Sequence, residues 1–346
     1  MNNIPSIGFD LSRLCEYLEN ALSDFRGPAK IKKFADGQSN PTFLLTTIGR
    51  NYVLRSKPSG PLLKSAHAVD REFRVMSALR NTDVPVPETY LLCEDQEIIG
   101  SVFFIMEYMD GRIFWDPALP DIDRNLRSEM FDEMNRVLTN LHKVDIAEIG
   151  LGDYGRPGNY YQRQFSRWSQ QYEAPQTKII AAMDNLIAWL SENLPLDDGV
   201  VSLVHGDYRL DNLIFHHTES RIIAVVDWEL STLGHPFADL AYQCMQWRLP
   251  NKGVLSGLGG IDRPTVGIPA EREYVAAYCQ RLNLDGIPNW TFYLSFSFFR
   301  FAAIVQGVLK RALEGNASSD KAVEVGQLAQ PLAEMAIDII EKGQQA

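Results

Sequence analysis

Residues 201–215, VSLVHGDYRLDNLIF, form the most informative segment of this 346-residue chain. Two apolar runs enclose a group of polar side chains: His205, Asp207, Arg209, Asp211 and Asn212. A turn between buried strands usually requires little more than a glycine and an asparagine. So many charged and metal-binding groups between two apolar runs therefore indicate a functional site.

The sequence after this segment predicts a β-hairpin. Two apolar runs flank a polar link: LIF at 213–215, HHTES at 216–220 and RIIAVV at 221–226. In an antiparallel hairpin the start of the first strand lies beside the end of the second. We therefore expect Asn212 and Asp227 at one edge of the hairpin, with Asp207 on the turn that leads into it.

Two carboxylates and an amide oxygen are ligands that suit Mg²⁺, which also binds water and phosphate oxygens. A carboxylate that the metal does not use can accept a proton from a hydroxyl nucleophile. In phosphoryl transfer, positioning and charge neutralisation supply most of the rate. The pattern therefore indicates a phosphate-transfer site.

The spacing of the segment is typical of kinases. In HGDYRLDN (205–212) the asparagine follows the aspartate by five residues, as in H-R-D-x-x-x-x-N, and Asp227 stands where D-F-G would begin. From about residue 25 to 340, the chain resembles the aminoglycoside phosphotransferase and choline kinase superfamily. The segments VLRSKPSG (53–60), HGDYRLDN and DWELSTLGHPFADLA (227–241) are most similar to the branch related to kinase domains fused to acyl-CoA dehydrogenases.

The resemblance implies roles for the polar residues. Asp207 is the expected catalytic base, and Asn212 and Asp227 are the expected Mg²⁺ ligands. Glu229 is expected to reach a second metal or a metal-bound water. Arg209 contacts the transferred phosphate or only pairs with an acidic neighbour, and the sequence leaves both possibilities open.

Other polar residues of this region are expected to be structural. His205 should bond to the backbone, and Asp211 should be a turn residue that faces solvent. Asp239 should be buried and should brace the turn through backbone N–H groups. His142 should be a helix cap or a packing residue.

The resemblance also implies an ATP site in the front part of the chain. The segment FADGQSNPTFLL (34–45) stands where a loop would cover the phosphates, with four candidate contacts: Gly37, Gln38, Ser39 and Asn40. Arg55 occupies the position of the phosphate-binding lysine, with Lys57 able to share that role and Glu72 as its expected ion-pair partner. A surface ion pair of little energetic value is the alternative for Arg55 and Glu72. Backbone groups of Glu107–Met109 are expected to bind adenine.

The expected fold is α+β and two-lobed, like that of protein kinases. An antiparallel β-sheet with one long helix should form the N-terminal nucleotide-binding lobe, residues 1–108. A larger, mostly helical lobe, residues 109–346, should carry catalysis and substrate binding. A hairpin turn is predicted at residues 49–51, an amphipathic helix over 64–79, and a further helix from Leu126 that Asp121 or Asp123 caps.

The apolar segment YLSFSFFRFAAIVQGVL (293–309) is predicted to be a buried helix. Arg300 and Gln306 interrupt it, which is unfavourable for a membrane span. No membrane partner is therefore expected.

Composition limits the possible partners. The net charge of −11 argues against nucleic-acid binding. Four scattered cysteines and an N-terminus without a signal pattern favour the cytoplasm. A monomer or homodimer that acts on a hydroxyl group of a small molecule is expected, such as an aminoglycoside, an amino alcohol or a hydroxyacyl-CoA.

Two other functions compete with an ATP- and Mg²⁺-dependent kinase. The first is a degenerate kinase fold that binds nucleotide or a partner without turnover, which the arginine at position 55 favours. The second is a dinuclear metallophosphoesterase. That chemistry would need further histidine ligands, but His235 is the only histidine after residue 217.

Overall fold

The computed structural model describes residues 8–34, 40–58, 68–174, 179–314 and 321–344. Within these ranges the elements follow one another as α1 (Leu11–Ala21), β1 (Lys30–Lys33), β2 (Thr42–Thr46), β3 (Asn51–Ser56), α2 (Val69–Leu79), β4 (Thr89–Cys93), β5 (Phe103–Glu107), α3 (Arg124–Lys143), α4 (Tyr160–Glu173), α5 (Ala181–Glu192), β6 (Ser202–Val204), β7 (Leu213–Phe215), β8 (Ile222–Val225), β9 (Thr232–Gly234), α6 (Phe237–Cys244), α7 (Arg263–Val266), α8 (Glu271–Leu282), α9 (Trp290–Leu313), α10 (Ala322–Gly326) and α11 (Ala329–Gln344). Short 3₁₀ turns cover Leu210–Asn212, Trp228–Leu230 and Met245–Trp247.

The described residues form two compact units. The first consists of those up to Arg112 together with Leu213–His217 and Ile222–Leu230. The second consists of Ile113–Asn212, Thr218–Arg221 and the described residues from Ser231 on. The β7–β8 hairpin therefore groups with the N-terminal unit, although residues of the second unit precede and follow it along the chain.

An antiparallel sheet of order β1-β2-β3-β5-β4 is the centre of the first unit. The predicted hairpin turn is confirmed, because β2 and β3 pair from Thr42↔Arg55 to Thr46↔Asn51. Side chains from α1, from the segment after it and from one face of the sheet share a core: Leu14, Leu18, Phe25, Leu45, Tyr52, Leu54, Phe103 and Ile105. Burial alternates along β2, as in a strand with one covered face, whereas the central strands β3 and β5 are buried on both faces.

Helix α2 confirms the predicted amphipathic helix. Val69, Met76 and Leu79 on its apolar face are buried. Helix α1 was not predicted, so this part of the chain contains α1 in addition to the one expected helix. Its signals were present, because Asp10 caps it by accepting from the Ser12 N–H at 2.8 Å.

The β7–β8 hairpin is also confirmed, with Leu213 opposite Val225. It is held in the first unit by backbone hydrogen bonds. Phe215 and Arg112 exchange two of them, at 2.8 and 2.9 Å, and the Val225 N–H donates to the Pro85 carbonyl at 2.8 Å. These bonds fix the position of the residues that follow β8.

The second unit is mostly helical and packs around α9. Helices α4, α5, α6, α10 and α11 all contact α9. By length and composition α9 could cross a membrane, but 78% of its most apolar window is buried inside the protein. This confirms the prediction of a buried helix. Helix α3 also begins as predicted, since Asp123 caps it by accepting from the Asn125 N–H at 2.9 Å.

The predicted α+β class is therefore confirmed, with an antiparallel N-terminal sheet and a mostly helical remainder. A further two-stranded pairing in the second unit positions the polar segment. Strands β6 and β9 are antiparallel, with Ser202 opposite Gly234 and Val204 opposite Thr232. The chain leaves β6 directly into residues 205–212, which we call the polar turn.

Candidate active site

The polar turn is anchored by Asp239, a fully buried residue of α6. Its carboxylate accepts from the backbone N–H groups of His205 at 2.7 Å and Gly206 at 2.8 Å. Gly206 has φ +85°, a left-handed conformation that favours glycine. The sequence prediction that Asp239 braces this turn is confirmed.

A second buried side chain supports Asp239. His142 Nε2 lies 3.3 Å from Asp239, and its Nδ1 lies 2.6 Å from the Tyr278 hydroxyl. Burial opposes ionisation of Asp239, but the hydrogen bond and charge of His142 hold the pKa of this carboxyl below its usual range. His142 is thus a packing residue, as expected, and it also supports the anchor of the turn.

The carboxylate of Asp207 is fixed by its neighbours. Asn212 Nδ2 donates to the Asp207 carbonyl at 2.9 Å and to its carboxylate at 3.0 Å. The Asp207 N–H donates to His205 Nδ1 at 3.2 Å, which confirms the structural role expected for His205. Because Asn212 donates through its nitrogen, its side-chain oxygen remains an acceptor that could face a cation.

Tyr242 is a neighbour of Asp207 that the sequence did not predict. Burial, together with the charge of Asp207, raises the pKa of Tyr242, so the phenol stays protonated beside the carboxylate. Asp207 is half-buried and held by Asn212, which suits a group that must meet a substrate hydroxyl in one orientation.

Arg209 pairs with Asp211 through both ends of its guanidinium group. The Nε–Oδ1 distance is 2.6 Å, and Nη2 contacts the other carboxylate oxygen. Asp211 is half-buried in this pair, so the expectation that it faces solvent was wrong. The ion pair with Arg209 keeps the Asp211 carboxylate away from solvent. The catalytic role of Arg209 stays a prediction.

In the first unit, five residues form what we call the charged cluster: Asn40, Arg55, Glu72, Asp227 and Glu229. Arg55 lies 2.8 Å from a Glu72 oxygen and 2.6 Å from Asp227 Oδ1. Glu72 is only 1% exposed, so the predicted ion pair is confirmed and is not a surface pair. Asn40 Nδ2 donates to Glu72 at 2.7 Å and lies 3.4 Å from Glu229.

With this geometry in view, the amino-acid sequence can be compared with known families. A profile of the phosphotransferase enzyme family matches residues 30–286, which is most of the chain. The chain belongs to this phosphotransferase family. The predicted family is thereby confirmed, and kinase-type phosphotransfer is the chemistry that membership supports.

Relatives of this phosphotransferase family member include enzymes named for other activities. Acyl-CoA dehydrogenase family member 10 of Mus musculus is 47% identical over 329 residues, which cover 94% of this chain and 31% of that protein. Family member 11 of Gallus gallus is 42% identical, over 96% of this chain and 44% of that protein. The chain therefore spans about a third to a half of the length of these curated relatives.

Solved structures confirm the protein-kinase-like phosphotransferase fold. A protein of Ralstonia eutropha JMP134, named after the aminoglycoside phosphotransferases, is 48% identical with a TM-score of 0.89, covering 96% of this chain and 99% of that one. A thermostable mutant of aminoglycoside phosphotransferase APH(4)-Ia, in a ternary complex with AMP-PNP and hygromycin B, has a TM-score of 0.61 at 16% identity, covering 96% and 98%. At that identity the second likeness shows the fold alone.

The charged cluster of this phosphotransferase family member contains three carboxylates and one guanidinium group. One oxygen from each of Glu72, Asp227 and Glu229 lies within 4.8 Å of the other two, and Arg55 contacts Glu72 and Asp227. Burial, together with the charge of Asp227 and against the attraction of Arg55, raises the pKa of Glu72 to about 7. The donor chemistry, oxygen only, is the kind that Mg²⁺ prefers.

The backbone at Asp227 is unusual. Its φ of +65° is left-handed, a conformation that asparagine and aspartate adopt more readily than other side chains. The next residue, Trp228, is buried and donates from Nε1 to the Val225 carbonyl at 2.9 Å. The hairpin and this anchor together determine the direction of the Asp227 side chain.

Lys57 was the alternative to Arg55 as the residue that binds the phosphates. It lies 3.0 Å from Asp70, in a pair whose partners are 30% and 46% exposed. Arg55 and not Lys57 therefore lies in the charged cluster.

The predicted adenine-binding segment follows β5. The Glu107 N–H donates to the Glu88 carbonyl at 2.8 Å, and the Glu107 carboxylate accepts from the Glu88 N–H at 3.2 Å. The Glu107 N–H is therefore already used within the protein. An adenine ring would accept its hydrogen bond from an amide further along the chain, such as the Met109 N–H. Gly37, Gln38 and Ser39 lie outside the described residues, so these assignments stay predictions.

Each unit thus brings together part of the predicted set. Asn40, Arg55, Glu72, Asp227 and Glu229 meet in the first unit, and Asp207, Arg209 and Asn212 share one turn in the second. The sequence reasoning missed Tyr242 and the contact of Arg300 with the polar turn. For Arg300 a signal existed, since it is a charged residue inside an apolar helix.

Proposed function

We propose that this protein transfers the γ-phosphate of ATP to a hydroxyl group of a small molecule, with Mg²⁺ as cofactor. The observation that carries the proposal is the buried pair of Arg55 and Glu72, at 2.8 Å. In kinases a basic residue on the third strand holds the phosphates while it pairs with a glutamate on the following helix. Arg55 on β3 and Glu72 on α2 reproduce that arrangement with arginine instead of lysine.

Asp207 is the proposed catalytic base. Asn212 holds its carboxylate in one orientation, so that an oxygen is ready to accept the proton of an acceptor hydroxyl. General-base catalysis of this kind contributes roughly 10²- to 10⁴-fold. Arg209 is the proposed contact of the transferred phosphate. To reach the phosphate, its guanidinium would give up part of its ion pair with Asp211.

The oxygen donors of Glu72, Asp227 and Glu229 suit a magnesium ion. Asp227 and Glu229 are the proposed ligands from the charged cluster, and Asn212 is proposed as a ligand through its side-chain oxygen. Mg²⁺, when bound, would neutralise charge on the phosphates. It would also relieve the repulsion among the three carboxylates of the cluster.

The nucleotide is the proposed ligand of the first unit. Arg55 would bind its phosphates and the Met109 amide its adenine edge. The remaining candidate contacts come from one segment: Gly37, Gln38, Ser39 and Asn40. The complex of the fold neighbour with AMP-PNP supports a nucleotide ligand in this fold.

A cavity of about 230 Å³ in the second unit, beside Arg209, is the proposed acceptor site. Its lining is mixed, with apolar side chains such as Leu210, Leu249 and Phe301 beside the polar Arg209, Asp211 and Gln246. Asp211 is its carboxylate, and Arg209 neutralises it. An aminoglycoside carries several ammonium groups that need free carboxylates, so this lining does not favour an aminoglycoside. A hydroxyacyl-CoA carries no ammonium group, and the acyl-CoA dehydrogenase names of the relatives agree with such a substrate.

The test is a screen for ADP production from ATP and MgCl₂ with four classes of acceptor: hydroxyacyl-CoAs, amino alcohols, sugars and aminoglycosides. We expect the largest rate with a hydroxyacyl-CoA, and for Asp207→Asn a rate roughly 10²- to 10⁴-fold lower with every acceptor. A phosphorylated product identified by mass spectrometry completes the assignment. Rates that are equal for wild type and Asp207→Asn would contradict the proposal.

One observation favours a second candidate, a protein that binds nucleotide without turnover. The Arg55 guanidinium lies 2.6 Å from Asp227 Oδ1. It therefore already contacts an oxygen of a proposed metal ligand. Nucleotide binding by calorimetry, combined with no phosphorylated product in the screen, would support this candidate over the kinase.

A further inference from the structure

Arg300 lies in the middle of α9, directly after a stretch, Phe292–Phe299, in which every residue is buried. A buried charge without partners costs several kcal/mol, so a charged residue in such a helix requires compensating contacts. No carboxylate pairs with Arg300 among the residues that the structure describes. Its partners are a backbone carbonyl and two aromatic rings.

The carbonyl belongs to the polar turn. Arg300 Nη2 donates to the Gly206 oxygen at 2.6 Å, a short bond that the charge of the guanidinium strengthens. The guanidinium carbon also lies 5.5 Å from the centre of the Trp168 ring and 5.2 Å from that of Tyr242. Both distances are within the range of cation–π attraction, which is strongest when the cation is desolvated.

The contacts at Gly206 hold the backbone on either side of its α-carbon. Asp239 accepts from the Gly206 N–H at 2.8 Å, while Arg300 donates to the Gly206 carbonyl. That carbonyl belongs to the peptide plane that leads into Asp207. Because glycine has no side chain to restrict rotation, removal of one contact would let this plane turn and carry Asp207 with it.

Tyr242 keeps Arg300 close to the helix that anchors the polar turn. Its ring receives the guanidinium, and it belongs to α6, the helix that also carries Asp239. Arg300 and Asp239 therefore act on the same residue, Gly206, from one packed region of the unit.

We propose that Arg300 is a positioning residue for phosphate transfer, which fixes the Gly206–Asp207 peptide and thereby the orientation of the Asp207 carboxylate. The inference rests on the proposed function, in which Asp207 is the base. Arg300 acts on Asp207 through the backbone of Gly206, so it affects the orientation of the base and not the chemistry itself.

The test compares Arg300→Met and Arg300→Lys with Arg311→Met, a control with the same substitution on an exposed residue of the same helix. Three quantities are measured for the full chain: steady-state kinetics of ADP production with the best acceptor of the screen, amide hydrogen exchange over residues 202–212, and the melting temperature. Arg300→Lys keeps the cation and a donor, so it should recover part of what Arg300→Met loses.

For Arg300→Met we expect kcat to fall roughly 10- to 100-fold, the cost of a misplaced catalytic group. The KM for ATP should stay within about twofold, because ground-state binding is not affected. Exchange of the His205 and Gly206 amides should become faster, without a change elsewhere in the second unit. Arg311→Met should match the wild type in all three measurements.

Two outcomes would overturn the inference. If Arg300→Met had the same kcat and the same amide exchange as the wild type, the contact would not position the turn. Faster exchange throughout the second unit with a lower melting temperature would make Arg300 a general packing residue. If the wild type itself gives no turnover with any acceptor, the proposed function fails, and the exchange measurement still decides whether Arg300 positions the turn.

Discussion

The polar turn and the charged cluster both gather carboxylates, but they balance the negative charge in different ways. In the polar turn, Asp239 accepts two backbone N–H groups and contacts His142, and Asp207 accepts from Asn212. In the charged cluster, three carboxylates surround the single guanidinium group of Arg55. One region relies on directed hydrogen bonds, whereas the other retains repulsion that a bound cation would relieve.

This difference predicts different sensitivities. Hydrogen bonds to a buried charge contribute about 1.5–3 kcal/mol each and depend little on the solution outside. A buried ion pair must offset its own desolvation, and loss of one partner leaves an uncompensated charge. The turn should therefore respond to changes in geometry, and the cluster should respond to pH and to cations.

The largest effect should follow Asp207→Asn in the polar turn. The amide cannot accept the proton of the acceptor, so kcat should fall by roughly 10²- to 10⁴-fold. Nucleotide affinity should stay nearly intact, because the proposed phosphate contacts are in the other region. Calorimetry with ATP and MgCl₂ checks this, and an affinity that falls as steeply as kcat would contradict the base assignment.

In the charged cluster, Arg55→Met should have the next largest effect. It leaves Glu72 buried beside Asp227 without a cation, and the free energy of unfolding should fall by about 3 kcal/mol. Affinity for ATP should fall as well. The matched change Lys57→Met removes a half-exposed pair, and it should cost less than about 1 kcal/mol.

Urea unfolding and ATP titration of both variants make the comparison. If Lys57→Met weakens ATP binding while Arg55→Met leaves it unchanged, Lys57 and not Arg55 is the phosphate contact.

Asp239→Asn tests whether the polar turn depends on directed bonds. Asparagine offers one acceptor oxygen in place of two, so one of the His205 and Gly206 N–H groups loses its partner. The expected loss in unfolding free energy is about 2 kcal/mol. This loss should be the same with and without MgCl₂. If added MgCl₂ restored the stability of Asp239→Asn, the turn would also depend on cations.

The smallest effect concerns pH and the charged cluster. The folded-state pKa of Glu72, about 7, is raised above the ordinary value of 4.5, so the folded protein binds this proton more tightly than the unfolded chain. Glu72 therefore stabilises the fold at low pH, and this contribution is lost as pH rises from about 4.5 to about 7. The slope approaches about 1.4 kcal/mol per pH unit at most.

Glu72→Gln removes this titration, and its unfolding free energy should depend less on pH than that of the wild type over the same window. Chemical denaturation at half-unit pH steps measures the difference. Parallel curves for the two proteins would argue against a raised pKa at Glu72.

Local features of the fold were predictable from local sequence. Gly49 and Asn51 between two β-rich runs predicted the β2–β3 hairpin, and the spacing of Val69, Met76 and Leu79 predicted α2. Each depends on residues that are neighbours along the chain. The pattern of Leu11, Leu14 and Leu18 after Asp10 would have predicted α1 in the same way.

The candidate site was predictable where a single segment or the order of a known family fixes the partners. The Asp207–Asn212 spacing lies in one turn, and the Arg55–Glu72 pair follows from the resemblance to kinases. The hydrogen bond of Arg300 joins α9 to Gly206, 94 residues away along the chain. Which face of α9 meets that turn depends on the packing of the whole unit, and no local pattern contains this information.

The hairpin of β7 and β8 has a consequence for how the protein can be divided. The chain leaves the second unit after Asn212, supplies two strands and Asp227 to the first, and leaves it again at Ser231; only the link Thr218–Arg221 between the strands groups with the second unit. A gene fragment that stops after Arg112 would therefore lack Phe215, which bonds to that arginine, along with two carboxylates of the cluster. The first unit has no continuous coding region of its own, so recombination that exchanges such units among relatives must move two separate stretches of DNA together.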